Sequence, residues 1–325
     1  MYRFWLPALL VPTLATLAWL AGIEAQLGVP TPSSRWVSEA YAAKTARIAH
    51  QPPPRILIVA GSGALFGLDS TALSTTWGRP VVNMGVNAGL GLRYILWQAR
   101  QVAKPGDMLL LPLEYALFVD EDRPNAQIVD YAAARDVAYW RSLPLASRLH
   151  FAASMSVGRW LLGLRHPPDP AITAGLYGGH NLDPLGDQTH TAASDRTEQD
   201  ARDVEASRPW AYGAKAARSS GGWAQLAAFS AWAKQAGICL AAIPPAFLAQ
   251  PDYRTNPVER AFYDTLPARV SALGVPYLGR PDAFMYGPDQ FFNTDYHLTE
   301  TARRDHTARI LAIPDLTPAT LCGPP

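Results

Sequence analysis

The chain has 325 residues, of which 49% are hydrophobic and 17% charged, so a substantial core is available. Its net charge of +1 gives no electrostatic footprint for a nucleic-acid partner. Two cysteines, Cys239 and Cys322, exclude a disulfide framework and a zinc cluster, and leave open one disulfide or two separate thiols.

In chain order, Arg3 precedes an uncharged stretch, residues 4–22, long enough to cross a bilayer as a helix. Ala21 to Ala25 is a poor cleavage site, so residues 1–25 read as an uncleaved anchor with Arg3 on the cytoplasmic side. Residues 26–325 then form one domain in the opposite compartment. A short linker, residues 27–34, leads into a helix over 35–50, with Trp36, Val37, Ala40, Tyr41 and Ile48 facing a core. Ile56 to Ala60 is an apolar run that reads as a buried parallel strand. It ends at Gly61-Ser62-Gly63, where two glycines permit a sharp turn around a serine before a helix. Residues 79–85 give a second short strand ending in a turn, with Asn87, Gly89 and Gly91 in the loop beyond it. Leu92 to Val102 is a helix, and Met108 to Leu113 a third strand that ends at Glu114-Tyr115. Strands alternating with helices at this spacing imply βαβ units and a parallel sheet.

The rhythm breaks over residues 116–220, which carry no clear apolar strand and read as a largely helical and irregular insertion. Regular order resumes with a helix over 223–236, a fourth strand over 238–243, a helix over 258–273 and a short fifth strand over 275–278. The loop DQFFNTDYH, residues 289–297, precedes a closing helix over 298–311. Within it, Asp295 and His297 stand two apart. With Ser62 at the carboxyl edge of the sheet, they suggest a triad in which serine attacks, histidine takes its proton and aspartate orients the imidazole. His180, Asp183, Asp187 and His190 fit no familiar metal-ligand spacing, so no metal is assigned. Trp210, Tyr212 and Trp223 are aromatic candidates for sugar stacking or for core. No dinucleotide fingerprint is present, and no cofactor is assigned.

The order of a serine after the first strand and an Asp-His pair near the end resembles the SGNH (GDSL-type) hydrolases, over about residues 52–115 and 221–311. It is similar also to the membrane-anchored, periplasm-facing SGNH-like proteins of exopolysaccharide acetylation, which often use an Asp-x-His pair like Asp295-Tyr296-His297. The resemblance implies a three-layer α/β/α, flavodoxin-like fold with a parallel sheet of about five strands. It places Ser62, Asp295 and His297 as the catalytic residues, if Ala60-Gly61-Ser62 is the first block. The family's second-block glycine resembles Gly85 in Asn83-Met84-Gly85-Val86-Asn87, which makes Gly85 and Asn87 the oxyanion candidates. The Gly-x-Asn-Asp block has no counterpart. Glu114 and Tyr115 stand at that strand end and become the substrate-binding candidates. The function implied is a cell-envelope esterase or O-acyltransferase acting on a polysaccharide or acylated carbohydrate through an acyl-serine. The location implied is the inner membrane, single-pass, with the domain in the periplasm. The alternative is the same fold with a lapsed site, which binds polysaccharide or docks with a membrane-bound O-acyltransferase. Gly63 and Glu114 favour the alternative, and the retained Asp295-His297 pair favours the enzyme.

Overall fold

The structure, a computed structural model, describes residues 2–323, with side chains from residue 10 onward. The chain opens with a helix, Tyr2–Gln26. Among the described residues no helix is long and apolar enough to cross a membrane. Residues 4–9 of the expected anchor lie outside the described side chains.

The described chain divides into two compact units: one up to Ser38 together with Arg123–Ile172, the other Glu39–Asp122 with Thr173 onward. The expected insertion is therefore shared between them. Its first half joins the N-terminal helix, and its second half belongs to the α/β unit.

The helical unit is tied by two carboxylates, the buried Asp130 and the partly exposed Asp169. Asp130 accepts from Thr31 Oγ1 at 2.9 Å and Ser33 Oγ at 2.7 Å, and pairs with Arg159. Asp169 takes a two-pronged contact from Arg135, at 2.7 and 2.6 Å, and a third bond from Arg35 at 2.6 Å. The Arg135 bonds, more than the opposing effect of burial, hold the Asp169 carboxyl below its usual range.

The α/β unit is built on a parallel sheet of four strands: β1 (Ile56–Ile58), β2 (Val81–Asn83), β3 (Met108–Leu111) and β4 (Cys239–Ala242). The order across the sheet is β2-β1-β3-β4, with Ile56 opposite both Val81 and Met108. Every residue of β1, β2 and β3 is buried, which is what continuous apolar runs demand when both faces are covered. The fifth strand expected over 275–278 is reduced to a single bridge, Tyr277 to Ala242. Pro276 gives its carbonyl to Ala242 N at 2.8 Å but has no N–H to return, so the ladder stops there. A second, two-stranded pair joins β5 (Phe247–Leu248) to β6 (Met285–Tyr286), also parallel.

At the amino edge of the sheet Arg55 and Asp107 form a fully buried ion pair at 2.6 Å. The remaining guanidinium hydrogens reach Ile48 O and Val102 O at 3.0 Å, and Asp107 also accepts from Lys104 N at 2.9 Å. The pair thus joins the starts of β1 and β3 to the ends of the helices Arg35–Ala49 and Leu92–Val102, and every donor is used. That satisfaction is the condition under which a buried charge pair is tolerated.

Cys239 and Cys322 are joined as a disulfide across 83 residues, with Cα atoms 5.6 Å apart, and it fixes the C-terminal helix Pro318–Cys322 to β4. Reduction, or Cys322→Ser, should lower unfolding stability by about 2–4 kcal/mol. Denaturant melts with and without reductant test this, and an unchanged midpoint would mean the two thiols do not pair.

Candidate active site

The strand order reverses between β1 and β3, and ligands of open α/β sheets bind at the carboxyl edge of such a switch point. Gly61-Ser62-Gly63 leaves β1 there, and Glu114 follows β3. The Glu114 carboxylate accepts from Gly61 N at 3.0 Å and from Gly63 N at 2.7 Å, so it straddles the serine from behind. Burial pushes the Glu114 carboxyl up, and the two backbone bonds pull against that shift. The glycines are steric requirements. A Cβ at Gly63 would lie 2.9 Å from Glu114 Oε1, and one at Gly61 would lie 2.4 Å from Ala88 N. Gly85 closes the same knot, since its Cβ would fall 2.5 Å from Gly61 O.

These contacts revise three expected roles. Glu114 is 2% exposed and serves the turn, so it is not open to a substrate. Tyr115 is fully buried, edge-on to Phe247 and Tyr263, with its N–H donating to Tyr296 Oη at 3.1 Å. It belongs to the aromatic core. Gly85 N–H donates to Asn83 Oδ1 at 2.9 Å and is not free for an oxyanion. Asn87 keeps its candidacy in part. Its Oδ1 accepts from Gly89 N at 2.7 Å, whereas its Nδ2 has no acceptor among the described residues. The backbone N–H of Ser62 is likewise unclaimed among them.

Ser62 opens the helix Ser62–Gly67 and is half-buried. Phe66 follows one turn later on the same helical face. The imidazole of His297 lies flat on the Phe66 ring, with centroids 4.0 Å apart and planes 5° apart. The same face of this helix therefore presents the serine and seats the histidine. Among the described residues no hydrogen bond joins Ser62 Oγ to the ring.

The partner of His297 is Asn293 and not Asp295. Residues 291–298 form a tight hairpin in which Phe291 bridges Leu298 and Phe292 N donates to His297 O at 2.6 Å. That fold-back sets Asn293 across from His297, with Asn293 Oδ1 2.8 Å from Nδ1. Asn293 Nδ2 donates to Tyr177 Oη at 3.2 Å, which turns its oxygen toward the imidazole. Nδ1 then carries the proton and Nε2 the lone pair. Asp295 instead accepts from the Trp210 indole N–H, while its backbone carbonyl accepts from Leu248 N at 2.9 Å. Tyr296 points into the aromatic core. Burial alone lowers His297 from 6.5 to about 3, so the ring is held neutral.

The segment 175–191 closes over this helix. Leu176, Tyr177 and Leu182 pack on Leu65, Phe66 and Phe292. Asp187 is buried, accepts from Ser70 N and Oγ at 2.7 Å and from Asn83 Nδ2 at 2.8 Å, and is raised by burial to about 6. Lys44 reaches Asn83 O at 2.7 Å and Gly186 O at 2.6 Å, and burial lowers it to about 7. The polar residues weighed as metal ligands do not converge: Asp183 caps the N–H groups of 185–187 at 2.8 to 2.9 Å, and His180 faces Gly175 O. Among the described residues no group of three or more such side chains could hold a metal ion. Trp210 is 45% exposed and stacked on Tyr212, and Trp223 packs on Phe118 under Arg269.

Compared with protein-family models, with characterised proteins and with solved structures, the chain finds no match in any of the three.

Two outcomes follow from this geometry. Glu114→Gln would turn an amide NH₂ toward one of two N–H donors, so unfolding stability at neutral pH should fall by about 1–3 kcal/mol. A stability equal to that of the wild type would show that the turn does not need the carboxylate. The unfolded chain protonates His297 near 6.5 and the folded chain only near 3, so the stability held by the neutral ring is complete above 6.5 and lost as pH falls toward 3. Across that window the wild type should lose stability more steeply than His297→Gln, by up to about 1.4 kcal/mol per pH unit. Parallel curves in pH-stepped melts would mean the ring is solvated.

Proposed function

We propose that the chain is an SGNH-like esterase or O-acyltransferase of the cell envelope, with Ser62 as nucleophile and His297 as its base. The observation that carries this reading is the shared helix face: a serine on a glycine turn at the switch point, and a neutral histidine seated on Phe66 one turn later. The strand order β2-β1-β3-β4, continued by the Tyr277 bridge, supports the flavodoxin-like form of the fold that the SGNH resemblance implies. The Cys239–Cys322 disulfide supports an oxidising compartment such as the periplasm. An anchor over residues 4–22 fits the same location.

In this mechanism Nε2 of His297 accepts the Ser62 hydroxyl proton as Oγ attacks an acyl carbonyl. Asn293 holds the Nδ1–H tautomer, with Tyr177 fixing the amide. The Asn87 amide and the Ser62 N–H are the unclaimed donors for the developing oxyanion. The donor ester's C–O bond then breaks and His297 gives the proton to the departing alcohol, leaving an acyl-serine; a sugar hydroxyl or water, deprotonated by Nε2, next takes the acyl group, and the proton returns to Ser62 Oγ. Asn293 is uncharged, so it orients the imidazole without offsetting the positive charge the ring acquires. A modest rate is the physical expectation.

A second reading is a protein of the same fold that binds polysaccharide or docks with a membrane-bound O-acyltransferase. It is favoured by the occupied Gly85 N–H and by the depth of burial that holds His297 near 3.

A fluorophosphonate probe on the full chain separates the two. The enzyme reading expects labelling at Ser62, its loss in Ser62→Ala, and a loss of similar size in His297→Ala, since members of a catalytic unit fail together. Asp295→Asn should label nearly as wild type, because Asp295 does not touch the imidazole. Undiminished labelling of Ser62→Ala would sink the assignment. No labelling of the wild type would leave the binding reading.

A further inference from the structure

The exposed apolar side chains are concentrated in one place. Of the eleven large apolar side chains that lie exposed among the described residues, nine belong to the helical unit. Some are on the first helix. The others line the two consecutive helices Leu145–Ser154 and Val157–Leu164. Leu145 and Leu149 are four apart, and Val157, Leu161 and Leu164 follow the i, i+4, i+7 spacing, so each helix shows one apolar face outward.

The opposite faces are fixed. Trp160 stacks on Trp19 of the first helix, with centroids 5.4 Å and planes 7° apart. Trp19 Nε1 donates to Ala152 O at 2.9 Å, and Trp160 Nε1 donates to Trp19 O at 3.1 Å. Gly163 admits the Gln26 side chain so closely that a Cβ would fall 1.9 Å from its Oε1. The helices are therefore anchored on the inside, and their outer faces cannot be buried by rolling inward.

Charge names the occupant. Residues 141–168 contain four arginines and no acidic residue. Arg159 turns inward to Asp130, whereas Arg141, just before the first of these helices, and Arg165, just after the second, are exposed. Apolar faces with cations at their ends and no compensating carboxylate fit anionic headgroups above an acyl layer. At 1.5 Å per residue the helices are only about 12–15 Å long, too short to span a core of about 30 Å.

We propose that the two helices over Leu145–Leu164 form a lipid-docking surface that lies in the headgroup–acyl boundary of a bilayer containing anionic phospholipid. This adds a second contact to the membrane location proposed above and stands apart from the serine chemistry. The test uses the full chain in vesicles of phosphatidylcholine with phosphatidylglycerol. Nitroxide labels go at Leu149→Cys, Leu161→Cys, Leu14→Cys and, as aqueous reference, Val258→Cys; the native cysteines are already paired. Labels at 149 and 161 should collide several-fold more with oxygen than with a water-soluble nickel complex, with the reverse at 258. Replacing both arginines, Arg141→Glu with Arg165→Glu, or omitting phosphatidylglycerol, should shift them several-fold toward nickel. Nickel access at 149 and 161 equal to that at 258 would overturn the proposal, and a membrane-buried label at 14 would then leave the N-terminal anchor standing. Shielding of 149 and 161 from both reagents, with or without vesicles, would overturn it in favour of a second copy of the chain. Depth indifferent to both the arginines and the anionic lipid would overturn the headgroup assignment.

Discussion

The architecture of the candidate site depends on one buried carboxylate. Glu114 leaves the end of β3 and fills the space behind the turn after β1, where two N–H groups would otherwise face the core without acceptors. A buried donor without a partner is costly, and a charged acceptor serving two of them is an economical answer. Once Glu114 is there, Gly63 can carry no side chain, and Gly61 is pressed against the loop that follows β2. Three strand ends are thereby knotted backbone to backbone. Ser62, between the two glycines, is the one side chain of that turn left to face outward. The features that set this chain apart from the SGNH pattern, Gly63 and Glu114, are two halves of a single device.

Much of the core was legible in the sequence, because uninterrupted apolar runs such as Ile56–Ala60 and Met108–Leu113 have few other uses. The edge at 275–278 misled, since Val275 and Tyr277 fit a strand while Pro276 lacks the hydrogen to extend it. At the candidate site, Ser62 and His297 stand out by glycine spacing and chain order, and the structure sets the imidazole on Phe66, one turn beyond Ser62. Asp295 followed from its Asp-x-His spacing and the triad pattern, which say nothing about where a hairpin folds back. The cross-strand pairing of Phe292 with His297 decided in favour of Asn293. Tyr177 could not have been found, as nothing local in 175–191 signals that it will lie over a helix more than a hundred residues earlier. Glu114 was visible, but its role required knowing that β1 and β3 are neighbours.

The site is electrostatically quiet. The imidazole is neutral by burial, its partner is an amide, and the nearby carboxylates are spent on backbone or indole N–H groups. In such a site placement weighs more than field. The closing segment strengthens placement: Asp187, Asn83 and Ser70 lash it to β2 and to the helix after Ser62–Gly67, and Tyr177 rides on that lashing to reach Asn293.

The stacking of His297 on Phe66 has a consequence for biosynthesis. The two rings are separated by 231 positions in the chain. A chain made from its amino terminus at about 5–20 residues per second would complete the serine turn and its Glu114 brace well before the histidine left the ribosome. During that interval Ser62 would have no imidazole near it, and Phe66 would be an uncovered aromatic surface. Arrival of the hairpin at 291–298 would cap that surface and complete the candidate site in one event, so that the assembled site would exist only on chains whose synthesis had passed that hairpin.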